Sequence, residues 1–388
     1  MNNSIIEYIA KETHGKAYKS HRFCFDKELP FPSLTYDDNQ TFTIRNDRYG
    51  ETAPQKVTTS LEILAKTLQK QEKPIFSFFL DGSRRIYKVD DIEYQKRIFP
   101  IVGGQIGVAC CERKSPDVFR KAILEKHLVL SVPSAADLGL HHDLALGKLV
   151  KDVNSSERLK RLGLHLSAIL KYEAKKADKD KEEYMNLGTA TIQDKMIECE
   201  KQVVDELVRK NLLHEDCYLI KDGSLQYPLA TKSDFKDLAK YKANYRRVIG
   251  VSKSFNPEFS KDKQGRSNAA AIANLPLYHR TPAAVFQESR VGNVFFSVWY
   301  VRIRDAKVTD SPFSGIVKIE KVLVTKHEEE NGLDSGEVDR ITANIINERN
   351  PVCYGKDQRW ANHLYPIYLT ESYLKSQYLS DLHFINLF

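Results

Sequence analysis

Two aspartates, each set between an apolar run and a Gly-Ser pair, are the residues of this sequence best suited to chemistry. Residues 75–80 are mostly apolar and lead to Asp81, and residues 217–220 lead through a lysine to Asp222. Short apolar runs closed by a glycine turn are typical of buried strands, so we expect each carboxylate at a strand end. An Asp-Gly hairpin turn would explain either copy alone. The matched pair favours a shared site.

The chemistry that such carboxylates suggest is the binding of a hard divalent cation. Neighbouring strands would bring Asp81 and Asp222 together, and oxygen ligands of this kind suit Mg²⁺ or Mn²⁺. A third acidic ligand is available on the helix predicted over residues 192–210, where Glu200 lies within the apolar stripe. An ionised glutamate there is costly unless it meets a cation or a strong donor. Glu206, nearer the polar side of that helix, is the alternative.

Three basic side chains could serve a phosphodiester substrate. Lys253 closes the apolar stretch 248–251, where it could neutralise a scissile phosphate or could be a solvated lysine at a strand end. Arg302 and Arg304 alternate on a predicted strand, so they could line a nucleic-acid path or form an exposed strand face. The chain has no Gly-x-x-x-x-Gly-Lys-Ser/Thr motif, so it is not expected to hydrolyse nucleotides through a P-loop.

The composition is that of an ordinary folded protein with a mild basic excess. The 388 residues carry a formal net charge of +7 and are 41% hydrophobic, which permits a polyanionic partner without requiring one. No stretch of about 18 apolar residues and no secretion signal is present, so a cytoplasmic protein without membrane spans is expected. The six cysteines form no Cys-x-x-Cys pair, so neither structural zinc nor a disulfide framework is expected.

The order of the predicted elements indicates an α/β domain with a mixed sheet flanked by helices. Residues 1–70 are expected to form an N-terminal extension with one helix, and residues 71–388 the main domain. Three successive strands should open that domain, the first ending at Asp81 and the third carrying a glycine bulge. Residues 115–213 should be mainly helical, with a charged insertion at about 171–184, before a hairpin and two final helices.

Four of these motifs, in this order, resemble those of the NurA nuclease family. They are Phe79-Leu-Asp-Gly-Ser-Arg84, Leu219-Ile-Lys-Asp-Gly-Ser-Leu225, Val248-Ile-Gly-Val-Ser-Lys253 and Leu364-Tyr-Pro-Ile-Tyr-Leu-Thr-Glu-Ser-Tyr373. The resemblance implies an RNase H-like fold and a manganese- or magnesium-dependent DNA nuclease. It also implies a hexameric HerA-type ATPase as partner, in DNA end processing or phage defence. A homodimer is expected.

The resemblance further implies roles for individual residues. Asp81, Asp222 and Glu200 would bind metal ions, and Lys253 and Tyr365 would lie beside them. Two cations about 4 Å apart would then bind the scissile phosphate and activate water. The candidate contacts to nucleic acid are Arg84, Arg302, Arg304 and Tyr373.

One position departs from the family pattern. The family usually has a histidine eight residues after the tyrosine of its Tyr-Pro motif, and this chain has Tyr373 there. Tyrosine does not replace histidine as a proton shuttle at neutral pH, although His363, two residues before Tyr365, could substitute. The departure leaves open an alternative in which the protein is a catalytically degenerate subunit that clamps DNA or docks onto an ATPase ring.

Overall fold

One large mixed β-sheet with helices on both faces organises the chain. The computed structural model describes residues 5–18, 23–24, 43–55, 57–70, 74–136, 142–174, 181–227, 235–262, 264–287, 294–309, 311–353 and 359–388. The fold class predicted from the sequence, α/β with a mixed sheet flanked by helices, is thereby confirmed.

The strands and helices fall in the following order. The strands are β1 Lys16–Tyr18, β2 Phe23–Cys24, β3 Thr43–Tyr49, β4 Thr59–Ser60, β5 Phe76–Tyr94, β6 Arg97–Ser115, β7 Val118–Pro133, β8 Leu166–Tyr172, β9 Tyr218–Asp222, β10 Val248–Ser252, β11 His279–Arg280, β12 Ala284–Gln287, β13 Phe295–Arg302 and β14 Ile316–Val322. The helices are α1 Ile5–Glu12, α2 Glu62–Lys70, α3 His142–Asn154, α4 Glu157–Leu162, α5 Lys181–Arg209, α6 Phe235–Tyr245, α7 Ala269–Ala273, α8 Lys326–Asn331, α9 Ser335–Asn347, α10 Tyr365–Ser376 and α11 Asp381–Ile385.

The main path of the sheet runs β3-β12-β13-β14-β10-β9-β5-β6-β7-β8. Its central strands β5, β9 and β10 are parallel to one another, whereas β5–β6–β7 and β13–β14 are antiparallel. The central strands β9 and β10 are nearly continuous apolar runs because helices cover both of their faces. Helix α5 packs on one face, and α9 and α10 lie on the other.

The first predicted strand is longer than the sequence suggested. Strand β5 continues through Asp81 to Tyr94 and includes residues 85–89, the second of the three predicted strands. The prediction that the strand ends at Asp81 is therefore wrong. What ends near Asp81 is its parallel neighbour, because β9 stops at Asp222, and β5 then continues paired with β6.

Two further expectations about this half of the chain need correction. Residues 115–213 are not mainly helical throughout, since β7 and β8 lie within them, and residues 175–180 of the predicted charged insertion lie outside the described residues. The expected glycine bulge is also absent, because Gly103 and Gly104 pair regularly with Tyr87 and Ile86. Their missing side chains instead make room for Phe384 and Ile192 on the two faces of β6.

The N-terminal extension contributes strands to the main sheet. Strands β1 and β2 pair with β5, and β3 pairs with β12. Within the described part of the chain, none of the helices has the length and apolar character needed to cross a membrane.

Candidate metal centre

Asp81 and Asp222 lie at the same level of the adjacent parallel strands β5 and β9, and Lys253 directly follows the third parallel strand, β10. Leu80 pairs with Lys221 across β5 and β9, and Val251 pairs with Asp222 across β9 and β10. Because side chains alternate between the faces of a strand, the two aspartates point to the face covered by α9 and α10. The structure thus brings together the two aspartates of the repeated Asp-Gly-Ser motif.

Lys253 forms two ion pairs in this cluster. Its Nζ lies 2.8 Å from Oδ2 of Asp222 and 3.1 Å from Oε2 of Glu371 on α10. The ammonium group is almost entirely buried. Although burial disfavours its charge, the nearby carboxylates of Asp222, Glu371 and Asp81 outweigh that effect and raise the pKa of Lys253. Lys253 is therefore a fixed positive charge within an acidic cluster, and the alternative of a solvated strand-end lysine is wrong.

Asp81 is the acid of the cluster whose burial is least offset by hydrogen bonds or ion pairs. Its side chain is buried, and its Oδ2 atom has no hydrogen-bond partner. Burial is the main cause that raises the pKa of Asp81 well above its usual value of 3.8, and the negative charge of Asp222 adds to the rise. A buried carboxylate oxygen without a donor is costly. A cation placed beside it would remove that cost.

Glu200 lies across the strand from this cluster. Its carboxylate is buried against Gly82, which follows Asp81, and a Cβ atom at Gly82 would overlap Oε1 of Glu200. Its Oε2 atom lies 3.3 Å from Nζ of Lys221 and accepts a hydrogen bond of 3.2 Å from the hydroxyl of Tyr227. Burial raises the pKa of Glu200 in spite of these partners. The alternative acid, Glu206, instead pairs with Lys210, the residue that follows α5, and is more exposed.

Glu371 is the acidic residue that the sequence reasoning missed. It lies on α10 and contacts both Lys253 and Lys375, and these two charges lower the pKa of its carboxyl to about 2 against the effect of burial. The quoted Tyr-Pro motif contains Glu371. Its spacing of four residues from Lys375 was the available signal, but that spacing alone equally predicts an ordinary surface ion pair.

The cluster combines acidic and basic side chains. Asp81, Glu200, Asp222 and Glu371 contribute four carboxyl groups, and Lys221 and Lys253 contribute two ammonium groups. These six groups form the acidic centre, in which Glu200 and Lys221 lie on the α5 face of the sheet and the other four groups lie on the α10 face. Carboxylate oxygens are the ligand type that Mg²⁺ and Mn²⁺ prefer, but no three of these described carboxyl groups bring oxygen atoms within 4.8 Å of one another.

Three dissimilar ligands form a second, tighter group elsewhere. Among the described residues, only Glu125, His127 and Cys199 bring three potential metal-binding atoms within 4.8 Å of one another. In the acidic centre, Lys253 lies between Asp222 and Glu371. The structure therefore contains a group of side chains that could hold a metal ion, distinct from the acidic centre.

The aromatic and histidine candidates lie near α10. The Tyr365 ring packs edge-on against Phe119, 6.5 Å between centroids. Tyr373 is half-buried and lies two residues after Glu371, which is about 200° around the helix axis, so the two side chains face different directions. His363 is buried, with its ring against Tyr368. Sequence reasoning did not single out Tyr378, whose pKa is raised chiefly by burial and also by the charge of Asp81.

Of the three arginines predicted to contact nucleic acid, two are buried and occupied by backbone acceptors. Arg302 is 2% exposed, and its guanidinium donates to the backbone carbonyls of Leu275, Ala273, Pro312 and Ser314. Arg304 is also buried and donates to the carbonyl of Arg349. The predictions that Arg302 and Arg304 line a nucleic-acid path or form an exposed strand face are therefore wrong, because the guanidinium groups are buried and donate hydrogen bonds to backbone carbonyls of the protein. Arg84 is half-buried on β5, on the strand face that carries Gly82.

A buried acid without a role in metal binding provides a useful contrast. Glu320 on β14 is fully buried, and its oxygens accept hydrogen bonds from Ser224, the backbone of Leu225 and the side chain of Gln226. Lys318 lies 2.9 Å from the same carboxylate. Glu320 therefore fixes the turn after Asp222, and its acceptors are already occupied.

Comparison with known proteins adds no assignment of family. Neither the protein-family models nor the curated proteins match this chain.

Proposed function

We propose that this protein is a divalent-metal-dependent DNA nuclease with an RNase H-like core. The observation that carries the proposal is the buried Oδ2 atom of Asp81, which has no hydrogen-bond partner and lies among further carboxylates. Structural acids such as Glu320 have their acceptors occupied by donors of the protein. An unoccupied acceptor at the level where β9 ends is better explained by a ligand.

The metal ligands would be Asp81 and Asp222, with Glu371 on the same face of the sheet and Glu200 approaching from the opposite face beside Gly82. Mn²⁺ or Mg²⁺, when bound, would supply positive charge for the scissile phosphate and a water molecule of lowered pKa. Lys253 would contribute a second positive charge to the phosphate, because it is held beside Asp222. Lys221 would orient the centre, since its Nζ donates to the carbonyl oxygens of Asp222 and Ser224 while it pairs with Glu200.

DNA as substrate and a HerA-type hexameric ATPase as partner follow from the resemblance to the NurA family. The chain has no P-loop motif of its own, so an ATPase partner would supply translocation.

A cleavage assay tests the proposed activity. Purified protein with Mn²⁺ should degrade linear DNA, and EDTA should stop the reaction. Asp81→Asn should reduce the rate by at least about 100-fold, since one metal ligand is lost. The matched control is Asp90→Asn, which changes another buried aspartate of β5 away from the acidic centre. Equal cleavage by wild type and Asp81→Asn would end the assignment.

The second candidate is a catalytically degenerate subunit that clamps DNA or docks onto an ATPase ring. Two observations favour it, namely the ion pairs of Lys253 with Asp222 and Glu371, and the presence of Tyr373 where the family has histidine. A clamp of this kind should bind DNA equally well with and without Mn²⁺ and should cleave neither DNA nor RNA. Binding and cleavage measured on the same preparation separate the two functions.

A further inference from the structure

Glu125, His127 and Cys199 form a compact group of three different metal-binding side chains, here called the mixed-ligand site. Potential ligand atoms of all three lie within 4.8 Å of one another. In a tetrahedral zinc site, neighbouring ligand atoms are roughly 3.5 Å apart, as follows from zinc–ligand bonds of about 2.0–2.3 Å. Small side-chain adjustments would therefore bring the three atoms to bonding distance of one ion.

Regular secondary structure positions all three ligands. Glu125 and His127 are two residues apart on β7, so their side chains lie on the same face of the strand. Helix α5 packs across that face and contributes Cys199, which is fully buried. Sites built on strands and helices hold their ligands more precisely than sites on loops.

The histidine is already oriented as a ligand would be. Its Nδ1 atom lies 3.3 Å from Oγ of Ser167 on β8, and its Nε2 atom lies 3.4 Å from Oε2 of Glu125. Metal-bound histidines usually have such a partner on the second ring nitrogen, which fixes the ring and the tautomer. Ser167 would be that partner, which leaves Nε2 to face the metal together with the carboxylate.

The types of the ligands select the metal. A thiolate, an imidazole and a carboxylate together suit Zn²⁺, whereas Mg²⁺ and Mn²⁺ prefer oxygen ligands throughout. The side chains of Glu125 and His127 are 27% and 26% exposed, so an ion can enter from solvent and a water molecule can complete the coordination. Three protein ligands with one open position differ from the closed four-ligand sites that are purely structural.

We propose that Glu125, His127 and Cys199 bind a zinc ion, with the fourth coordination position open to solvent. Binding forms a zinc–sulfur bond, and the proton of the Cys199 thiol is released to the buffer. The site is separate from the acidic centre in its ligand chemistry, although Cys199 and Glu200 are neighbours on α5.

Cobalt substitution provides the direct test, because Co²⁺ bound to a thiolate gives a sulfur-to-metal charge-transfer band. Untagged protein stripped with a chelator should take up Co²⁺ with this band, and added Zn²⁺ should abolish it. Cys199→Ser should lose the band, and the matched control Cys111→Ser, which changes another buried thiol, should keep it. Absence of the band in wild type, or an equal band in Cys199→Ser, overturns the proposal.

Variants at the exposed ligands guard against a folding defect at the buried cysteine. His127→Asn should weaken Zn²⁺ binding by at least about 100-fold, and Ser167→Ala by about 10-fold, measured by competition with a chelating dye. His165→Asn, which changes a nearby exposed histidine paired with Asn154, should leave the affinity unchanged. Asp81→Asn should also leave it unchanged, so failure of this site is distinguishable from failure of the nuclease. Wild-type affinity in His127→Asn would overturn the proposal.

Discussion

At the scale of single residues, the contrast between two buried acids carries the functional argument. Glu320 is surrounded by donors and is held in one position by four of them. Asp81 is equally buried, yet its Oδ2 atom has no donor and its neighbours include other carboxylates. Buried charges persist in folded proteins when they are paired or bind metals. We therefore interpret Asp81 as a ligand-binding residue rather than a stabilising one.

The first prediction concerns the pH dependence of stability for Asp81→Asn without metal. Because the pKa of Asp81 is raised in the folded state, that state binds a proton which the unfolded chain releases, and stability falls as the pH rises above 3.8 towards the folded value. An asparagine at this position does not ionise, so the variant does not lose stability in this way as the pH rises. The variant should be more stable than wild type at neutral pH, on the order of 1–3 kcal/mol, and the difference should shrink near pH 4.

Chemical denaturation of both proteins in EDTA, at several pH values, measures this difference. The contribution of Glu371 to stability depends on pH in the opposite direction, because the pKa of its carboxyl is lowered to about 2. Glu371 contributes stability above pH 4.5, and this contribution is lost as the pH falls towards 2. Glu371→Gln should therefore be less stable than wild type at neutral pH. A neutral-pH loss of stability in Asp81→Asn would contradict the interpretation of Asp81.

The second prediction concerns Lys253, which competes with any metal for Asp222 and Glu371. Lys253→Gln removes the positive charge, so Mn²⁺ should bind about 10-fold more tightly while cleavage falls, because the charge on the phosphate is lost. Calorimetry with Mn²⁺ and the cleavage assay measure the two effects. Lys375→Gln, which removes the more exposed partner of Glu371, is the control and should cleave normally. Weaker Mn²⁺ binding in Lys253→Gln would contradict this view.

At the scale of elements, the glycine of the Asp-Gly-Ser motif is needed for a different structural reason in each of the two copies. Gly223 follows the end of β9 and has a φ of +82°, a conformation that favours glycine. Gly82 lies inside β5, and its lack of a side chain admits the carboxylate of Glu200. The same three letters thus describe a turn in one place and a close approach in the other.

The third prediction tests that close approach. Gly82→Ala should push the Glu200 carboxylate out of its place, so Mn²⁺-dependent cleavage should fall by about 10-fold or more, with a destabilisation of about 1–3 kcal/mol. The matched control is Gly147→Ala on α3, where an added Cβ meets nothing within 4 Å and helix propensity improves. Activity of Gly82→Ala equal to that of Gly147→Ala would show that the position of Glu200 is unimportant.

The elements differ in how well their residues predicted them. Strands β9 and β10, the β13–β14 hairpin and helix α9 follow from their apolar runs and turn residues, because short buried elements are dictated locally. The length of β5 could not be predicted from its own residues, since the strand continues for as long as its neighbour β6 provides hydrogen-bonding partners. Arg302 was misplaced for a related reason: its acceptors are loop carbonyls that only the folded chain assembles.

The acidic centre shows the same division between local and long-range information. Asp81, Asp222 and Lys253 could be placed from sequence because each follows a recognisable apolar run. Glu371 could not be placed from sequence, because its partner Lys253 is 118 residues away along the chain and its helix shows no unusual pattern. Contacts of that separation depend on how α10 packs on the sheet.

At the scale of the whole molecule, the acidic centre joins three parts of the chain. Strand β5, strands β9 and β10, and helix α10 each contribute charged groups, and two of the three large apolar cores among the described residues meet at these strands. A ligand bound there contacts elements that separate on unfolding. Binding should therefore stabilise the entire fold.

The fourth prediction follows from that coupling. Mn²⁺ at 100 times its dissociation constant should raise the free energy of unfolding by about 2.7 kcal/mol, which raises the melting temperature by a few degrees. Asp222→Asn should lose most of this increase, measured by thermal unfolding at several Mn²⁺ concentrations. Cys199→Ser should keep it, because the mixed-ligand site is not expected to prefer Mn²⁺. An equal increase in Asp222→Asn would place the ion elsewhere.

The most direct test of the central claim is the anomalous diffraction of manganese in crystals soaked with MnCl₂. The acidic centre should show an anomalous peak within coordination distance, about 2.1–2.3 Å, of Oδ2 of Asp81, with Asp222 as a second ligand. Crystals of Asp81→Asn should lack that peak. A wild-type crystal with manganese bound only away from Asp81 and Asp222 would contradict the account.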